Sequence, residues 1–332
     1  MNESAMRGEP GRKLLFLVGQ WRSGTSLLQG LLNRHSSVAL MYEAEPFALW
    51  PRQANARWPS DWPERLECYN QAISRHRLDA AALRSRRLGR EAALGLYGAF
   101  GAQRGAGIIG EKAPAYYAWL PAVARIFPEA RFVVIWRDPL ECCRSAARAG
   151  RNNRFFAQRG MLTRILLGAE ALASGVERLQ QQGRDVQEVL YGELVANPEA
   201  QLRRVCESLE ISFETRMLDL KGADLSLLPA GEHHDRVRSG VIGQTSNGPD
   251  PMPASLKAKA QRYSALWRDR FPQLGLGRAL GSGPEARPPG WAEQWADRSA
   301  NHILGQIDEL KRQVFRRIPL NWWRQLRSAT PR

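Results

Sequence analysis

Short apolar runs alternate with amphipathic stretches along the first two thirds of the chain. Five runs have the length and composition of buried strands: Leu14–Val18, Val38–Tyr42, Ile108–Ile109, Arg131–Trp136 and Val186–Tyr191. Helical periodicity predicts helices at Ser26–Arg34, Ala115–Phe127, Leu140–Ala149, Met161–Gln182 and Pro198–Leu209. Apolar strands separated by helices are typical of a parallel sheet covered on both faces, so we predict an α/β fold.

The same pattern divides the chain into three parts. Residues 1–276 form the sheet domain, with a variable, mostly helical insert at about 52–107. The Gly- and Pro-rich stretch 277–290 is typical of a linker. Residues 291–332 form a basic tail with an amphipathic helix. We expect this helix to dock on the domain or on a second copy in a homo-oligomer, and the alternative is peripheral contact with an anionic membrane.

Composition narrows the class of protein. The chain has 332 residues, of which 43% are hydrophobic, and its net charge is +15. No apolar run reaches the roughly 18 residues of a membrane span and no signal-peptide pattern is visible, so we expect a cytoplasmic protein, peripheral at the inner membrane face if the tail binds lipid. The positive charge favours anionic ligands, but without a nucleic-acid-binding motif we expect no nucleic acid partner. The four cysteines match no metal-binding spacing and predict buried free thiols.

The most informative motif joins the first strand to the first helix. Residues 19–26 read G-Q-W-R-S-G-T-S and have the G-x-x-x-x-G-x-S spacing of a phosphate-binding loop. Backbone N–H groups at a helix start bind anions, and the helix dipole favours them. Thr25 replaces the lysine that precedes the last Ser in nucleoside triphosphatases, and the cation is instead Arg22. The loop therefore favours a different phosphorylated donor.

Further polar residues follow the other predicted strands. Glu43 and Glu45 follow the second strand, Lys112 follows the third and Arg137 follows the fourth. Carboxyl ends of parallel strands share one edge of a sheet, where ligands bind, so we expect these side chains to converge there. Arg137 offers a bidentate fork for phosphate, and Ser145, two helical turns later, adds a hydroxyl.

Asp138 stands where the helix after the fourth strand begins. Pro139 follows it and suits a first helical turn. A short carboxylate side chain in this place binds the unpaired N–H groups of the first turn. We therefore interpret Asp138 as a helix cap rather than as a catalytic group.

In their order along the chain, these motifs resemble those of PAPS-dependent sulfotransferases over roughly residues 14–245. Residues 21–26, W-R-S-G-T-S, resemble the family's 5′-phosphosulfate loop. Residues 137–139, R-D-P, with Ser145 resemble its 3′-phosphate site. Residues 111–114, E-K-A-P, resemble the segment whose lysine approaches the transferring group. Residues 189–198 resemble the segment whose tyrosine holds the adenosine end, although Gly192 replaces an acidic residue there.

The resemblance also implies a general base and a closing loop. Glu43 stands at the base position of tyrosylprotein sulfotransferases, counted from Arg22. Glu45 with Pro46 resembles the Glu-Pro of other bacterial sulfotransferases, so Glu45 is the alternative base. The basic, Gly-containing segment 238–243, which includes Ser239, resembles the loop that closes over the donor.

The resemblance implies a P-loop-like fold and transfer of a sulfuryl group from PAPS to a hydroxyl-bearing acceptor, which leaves 3′-phosphoadenosine-5′-phosphate (PAP). The implied catalytic groups are Glu43 or Glu45 as base, with Arg22 and Lys112 stabilising charge. The implied donor-binding residues are Arg22, Ser23, Gly24, Thr25, Ser26, Arg137, Ser145, Tyr191 and Ser239. No metal is expected, because the Arg and Lys side chains supply the positive charge.

Two other functions stay open at this stage. A P-loop kinase acting on a small molecule would use ATP and Mg²⁺, but the loop lacks the lysine that such enzymes carry. A non-catalytic module would bind anions or a membrane through the basic surface and the tail. For the acceptor, we favour a carbohydrate or small-metabolite hydroxyl over protein tyrosine.

Overall fold

A five-stranded parallel sheet forms the centre of the protein. The computed structural model describes residues 13–45, 63–83, 89–158, 160–223, 239–240, 242, 252–270, 272, 289–300 and 302–303. The strands are β1 (Lys13–Gly19), β2 (Val38–Tyr42), β3 (Ile108–Lys112), β4 (Arg131–Trp136) and β5 (Val186–Leu190). Their spatial order is β2-β3-β1-β4-β5 and all pairs are parallel.

Helices connect the strands and cover the sheet. They are α1 (Thr25–Leu32), α2 (Pro63–Arg75), α3 (Ala80–Leu83), α4 (Arg90–Arg104), α5 (Leu120–Ile126), α6 (Pro139–Ala149), α7 (Met161–Gln181), α8 (Tyr191–Ala196), α9 (Pro198–Ser208) and α10 (Ala254–Arg270). Short 3-10 turns lie at Pro114–Ala118, Thr215–Leu218 and Leu220–Gly222. This arrangement confirms the predicted α/β fold.

Alternation along β1 divides the core into two layers. Phe16, on one face of the sheet, packs with buried residues of α4, α5 and α7. Leu15 and Leu17, on the other face, pack with residues of α1, α8 and α9. Because successive side chains of a strand point to opposite faces, an entirely apolar strand requires cover on both sides. The carboxyl ends of the strands remain at one edge, where the connecting loops lie.

The structure corrects the predicted boundaries around the third strand. That strand extends through Lys112, so the lysine ends β3 instead of following it. The single helix predicted at Ala115–Phe127 is wrong, because the backbone leaves helical geometry at Trp119 (φ −136°) between a 3-10 turn and α5. Pro121 is the second residue of the new helix, in keeping with the preference of proline for the first turn.

Asp138 is confirmed as a helix cap. Its carboxylate accepts the N–H of Leu140 at 2.7 Å and the Ser264 hydroxyl of α10 at 2.8 Å. The cap fixes where α6 begins, immediately after Arg137. Three cysteines, Cys142, Cys143 and Cys206, are buried and free, as predicted, and the side chain of Cys68 lies outside the described residues.

The beginning of the tail is helical over 291–300 and docks through polar groups. Glu293 and Asp297 pair with Arg262 and Lys259 of α10, and the Tyr263 hydroxyl donates to Asp297 at 2.9 Å. Ile303, the first residue of the predicted apolar face, is exposed, and Leu304 onward lies outside the described residues. No helix within the described ranges is long and apolar enough to cross a membrane.

The predicted domain boundaries are only partly covered by the structure. The linker 277–290 is described only at 289–290, and the insert 52–107 is described at 63–83 and 89–107, where it forms α2, α3 and α4. The three-part division therefore stays a prediction.

Gly110 gives a test of the sheet packing. A Cβ at Gly110 would lie 2.0 Å from the carbonyl oxygen of Leu15 in β1, and its φ is +149°. We therefore expect Gly110→Ala to lower the free energy of unfolding in urea by about 3 kcal/mol through steric overlap and backbone strain.

Gly107, one residue before β3, provides the matched control. Among the described residues, no atom lies within 4 Å of a Cβ built there. Gly107→Ala should change the free energy of unfolding by less than about 0.5 kcal/mol. Equal stability of the two variants would contradict the described register of β1 and β3.

Candidate active site

The loop between β1 and α1 has the backbone geometry of an anion-binding turn. Arg22 and Gly24 both have left-handed backbone conformations, with φ of 70° and 107°. A Cβ at Gly24 would lie 2.5 Å from the Tyr191 ring, so glycine is required there for both conformation and space. The loop leads into α1, which begins at Thr25. The backbone N–H groups of this first turn have no helical partner.

Ser23 contributes a buried hydroxyl within the loop. Its side chain is fully buried, and its Oγ has no hydrogen-bond partner among the described residues. Buried polar groups are normally hydrogen-bonded, so this unpaired hydroxyl is an exception within the loop.

Two arginines meet directly beside this loop. The Nε–H of Arg22 donates to Ser145 Oγ at 3.0 Å, and Arg137 donates to the backbone carbonyl of Arg22 at 3.1 Å. The Arg137 guanidinium also lies over the Tyr191 ring, 4.2 Å from its centroid. The structure thus joins the two predicted phosphate motifs and the predicted adenosine-side tyrosine in one cluster.

The electrostatics of this cluster favour an anion. Burial, followed by repulsion from Arg137, lowers the pKa of Arg22 from 12.5 to about 10. Two guanidinium groups held this close repel each other, and a bound anion would relieve that repulsion. Their planar forks match the oxygen geometry of phosphate and sulfate.

A second cluster lies at the ends of β2 and β3. Lys112 is fully buried, and its Nζ lies 2.5 Å from Glu43 Oε1 and 3.3 Å from Ser26 Oγ. The ammonium also lies 3.6 Å from the centroid of the Tyr42 ring. Burial lowers the pKa of Lys112, while Glu43 opposes this shift. Ser26 belongs to the first turn of α1, so this cluster adjoins the anion-binding loop.

The turn 43–45 departs from the extended conformation that would point Glu43 and Glu45 the same way. Both residues have left-handed backbones, with φ of 40° and 41°. A specific set of hydrogen bonds holds this turn. The N–H of Glu43 donates to the Lys112 carbonyl at 2.9 Å, and the N–H of Glu45 donates to the Glu111 carboxylate at 2.8 Å.

Sequence analysis assigned no role to Glu111, which is fully buried in β3. Tyr97 and Tyr116 each donate a hydroxyl hydrogen bond to its Oε1 at 2.5 Å. The signal that would have found it is an acidic residue in a fully buried strand, directly before the lysine that ends it, because a buried carboxylate requires several hydrogen-bond donors.

Sequence analysis also missed an aromatic cluster on the other side of Arg22. The Trp21 ring makes edge contacts with Tyr117 at 5.3 Å and with Phe155 at 5.5 Å between centroids. The Arg22 guanidinium lies 5.3 Å from the centroid of the Phe156 ring. Phe155 is 41% exposed, so one wall of the cluster faces solvent beside the loop.

Ser239, a residue predicted to bind the sulfuryl donor, has few described neighbours along the chain. Residues 239–240 form a short described stretch, in which Gly240 lies against the Lys221 side chain. Arg238, Val241 and Gly243 of the predicted closing loop lie outside the described residues. The donor contact of Ser239 stays a prediction. Within the described residues, no group of three or more His, Cys, Asp or Glu side chains is placed to hold a metal ion.

Three comparisons with known proteins bear on the identity of the chain. Residues 15–215 match the model of the sulfotransferase family. A curated Caenorhabditis briggsae protein named "Putative protein-tyrosine sulfotransferase" is 25% identical over 234 residues, which are 65% of this chain and 72% of that protein.

Solved structures with a similar arrangement include a sulfotransferase domain from the curacin biosynthetic pathway, with a TM-score of 0.49 and 16% identity over 77% of this chain and 97% of that one. A sulfotransferase from Mycobacterium avium has a TM-score of 0.48 and 15% identity over 81% of this chain and 79% of that one. The family model covers more than half of the chain, including the anion-binding loop, β3 with Lys112 and the Arg137 motif. The chain therefore belongs to the sulfotransferase family.

Proposed function

We propose that this sulfotransferase uses PAPS as its donor and transfers the sulfuryl group to a hydroxyl of a carbohydrate or small metabolite. The observation that carries the proposal is the contact between Arg22 and Arg137 beside the loop 19–26. Arg137 donates to the backbone carbonyl of Arg22, in the loop that leads into α1. Two arginines beside a helix start would suit a ligand with two separate anionic groups.

The residues present fit such a donor. The unpaired hydroxyl of Ser23 and the N–H groups at the start of α1 would hold the 5′-phosphosulfate. Arg137 has five N–H donors. One of them donates to the Arg22 carbonyl, and the others would hold the 3′-phosphate together with Ser145. Tyr191 packs under the Arg137 guanidinium and would support the adenosine end.

PAPS, when bound, supplies an activated sulfuryl group. The protein contributes a base and positive charge, because sulfuryl transfer, like phosphoryl transfer, depends on positioning and electrostatics. Glu43 accepts the proton of the acceptor hydroxyl while the acceptor oxygen bonds to sulfur and the sulfur–oxygen bond to the donor phosphate breaks. Lys112, 2.5 Å from Glu43, and Arg22 neutralise the negative charge that develops on the donor phosphate.

The aromatic cluster supports the proposed acceptor class. Trp21 and Phe155 present ring surfaces next to Arg22, with Phe155 exposed to solvent. Ring surfaces pack well against the apolar face of a sugar or another flat carbon skeleton.

The experiment that tests the function supplies ³⁵S-labelled PAPS with a panel of sugars, small-metabolite alcohols and a tyrosine-containing peptide, and measures labelled product. Label transferred only to the tyrosine-containing peptide would overturn the proposed acceptor class. Absence of transfer to every acceptor would overturn the proposed sulfuryl-transfer activity.

Arg137 gives a test of donor binding. Arg137→Ala should raise the dissociation constant for PAP by about 10- to 100-fold, because it removes charge-assisted hydrogen bonds to a phosphate. Isothermal titration calorimetry measures the change, and thermal unfolding checks that the variant is folded.

Arg131, at the opposite end of β4, is the matched control. It bonds to the Ser208 carbonyl and to Glu210, away from the proposed donor site. Arg131→Ala should leave PAP affinity within about twofold of the wild-type value. Unchanged PAP affinity in Arg137→Ala would contradict the assigned donor site.

Glu43 gives a test of the base. Glu43→Gln keeps the size of the side chain and removes its capacity to take a proton, so kcat should fall by about 10²- to 10⁴-fold. PAP affinity should stay within about threefold, because Glu43 contacts Lys112 and not the Arg22–Arg137 cluster. Steady-state kinetics with Glu45→Gln in parallel separates the two candidates. A large loss in Glu45→Gln with normal turnover in Glu43→Gln would assign the base to Glu45.

A further inference from the structure

A buried carboxylate lies directly beside the active-site lysine. Glu111 and Lys112 are successive residues of β3, and both are fully buried. Successive strand side chains point to opposite faces, so the two charges enter different layers of the protein. Lys112 contacts Glu43 and Ser26, whereas Glu111 contacts the tyrosines of the layer formed with α4.

Four donors surround the Glu111 carboxylate. Tyr97 of α4 and Tyr116 of the 3-10 turn donate to Oε1 at 2.5 Å each. The backbone N–H of Glu45 donates to Oε2 at 2.8 Å, and the backbone N–H of Ala44 also bonds to the carboxylate. Burial raises the pKa of Glu111, and all four hydrogen bonds oppose this shift. A buried carboxylate with this many donors fixes the relative positions of the groups that donate to it.

The turn that carries Glu43 needs such support. Glu43 and Glu45 both hold left-handed backbones, which cost free energy for residues other than glycine and persist only where surrounding bonds enforce them. The end of β3 supplies those bonds from two sides. The Lys112 ammonium pairs with the Glu43 carboxylate, and the Lys112 backbone carbonyl accepts the Glu43 N–H. The Glu111 carboxylate accepts the N–H groups of Ala44 and Glu45.

We propose that Glu111 is a positioning residue that fixes the turn 43–45, and that Tyr97 and Tyr116 act through it. The catalytic consequence rests on the proposed function, since it assumes that Glu43 is the base. The inference also gives the helical insert a role in catalysis, because Tyr97 comes from α4 within that insert. Changes in the insert would thereby reach the base without contacting any substrate.

The test removes the two hydroxyls and keeps the rings. The double variant Tyr97→Phe/Tyr116→Phe should lower kcat by about tenfold or more, because Glu43 loses its fixed orientation. The KM for PAPS and the dissociation constant for PAP should stay within about twofold. Glu111→Gln should reduce kcat further, because the amide keeps one accepting oxygen where the carboxylate offers two.

Tyr69→Phe is the matched control. Tyr69 is equally buried, but its hydroxyl bonds to the carbonyl of Leu83 and lies in a different part of the insert. This variant should keep the wild-type kcat even if it lowers the melting temperature. Normal kcat in the double variant, or an equal loss of PAP affinity, would overturn the positioning role and leave Glu111 a purely structural group.

A second readout separates this inference from the proposed function. Lys112 is fully buried against Glu43, so an amine-reactive acetylating reagent, followed by mass spectrometry, should label it slowly in the wild type. A loosened turn in the double variant should raise that labelling rate several-fold relative to Lys259. This result would support positioning even if the wild type transferred no sulfuryl group, and unchanged labelling would overturn it.

Discussion

The contact between Arg22 and Arg137 is the interaction on which the site depends. It brings together the loop after β1 and the start of the helix after β4, two neighbouring strands of the sheet. Burial, and then repulsion from Arg137, lowers the pKa of Arg22. Three groups hold the two arginines in place despite this repulsion: the Asp138 cap, the Ser145 hydroxyl and the Tyr191 ring. A protein that holds two like charges together in this way gains free energy when an anion binds between them.

The parallel sheet explains how the proposed catalytic and binding groups come from distant parts of the sequence to one edge. Each strand ends at that edge, so the residues that follow β1, β2 and β4 lie there with the last residue of β3. At β3 the alternation of side chains has a further consequence. The Lys112 side chain lies against Glu43, whereas the Glu111 side chain lies in the core. These two successive residues therefore hold the turn 43–45 from both sides.

Sequence reasoning succeeded where chemistry and periodicity coincide. The apolar strands, and the positions of the loop 19–26 and of Arg137 at the ends of β1 and β4, were visible because each has a local sequence pattern. It failed where long-range contacts decide the result. The left-handed backbones at Glu43 and Glu45, and the bonds from this turn to Lys112 and Glu111, join residues far apart in the chain. The aromatic surface of Trp21 and Phe155 likewise arises only when two separate loops meet.

The most direct test of the central claim is isothermal titration of the wild-type protein with PAP in the absence of metal, compared with ATP in the presence of Mg²⁺. The Arg22–Arg137 cluster should bind PAP without metal, and at least about tenfold more tightly than ATP with Mg²⁺, because only PAP carries a 3′-phosphate for Arg137. Preference for ATP with Mg²⁺ would contradict the account and assign the chain to nucleoside-triphosphate chemistry.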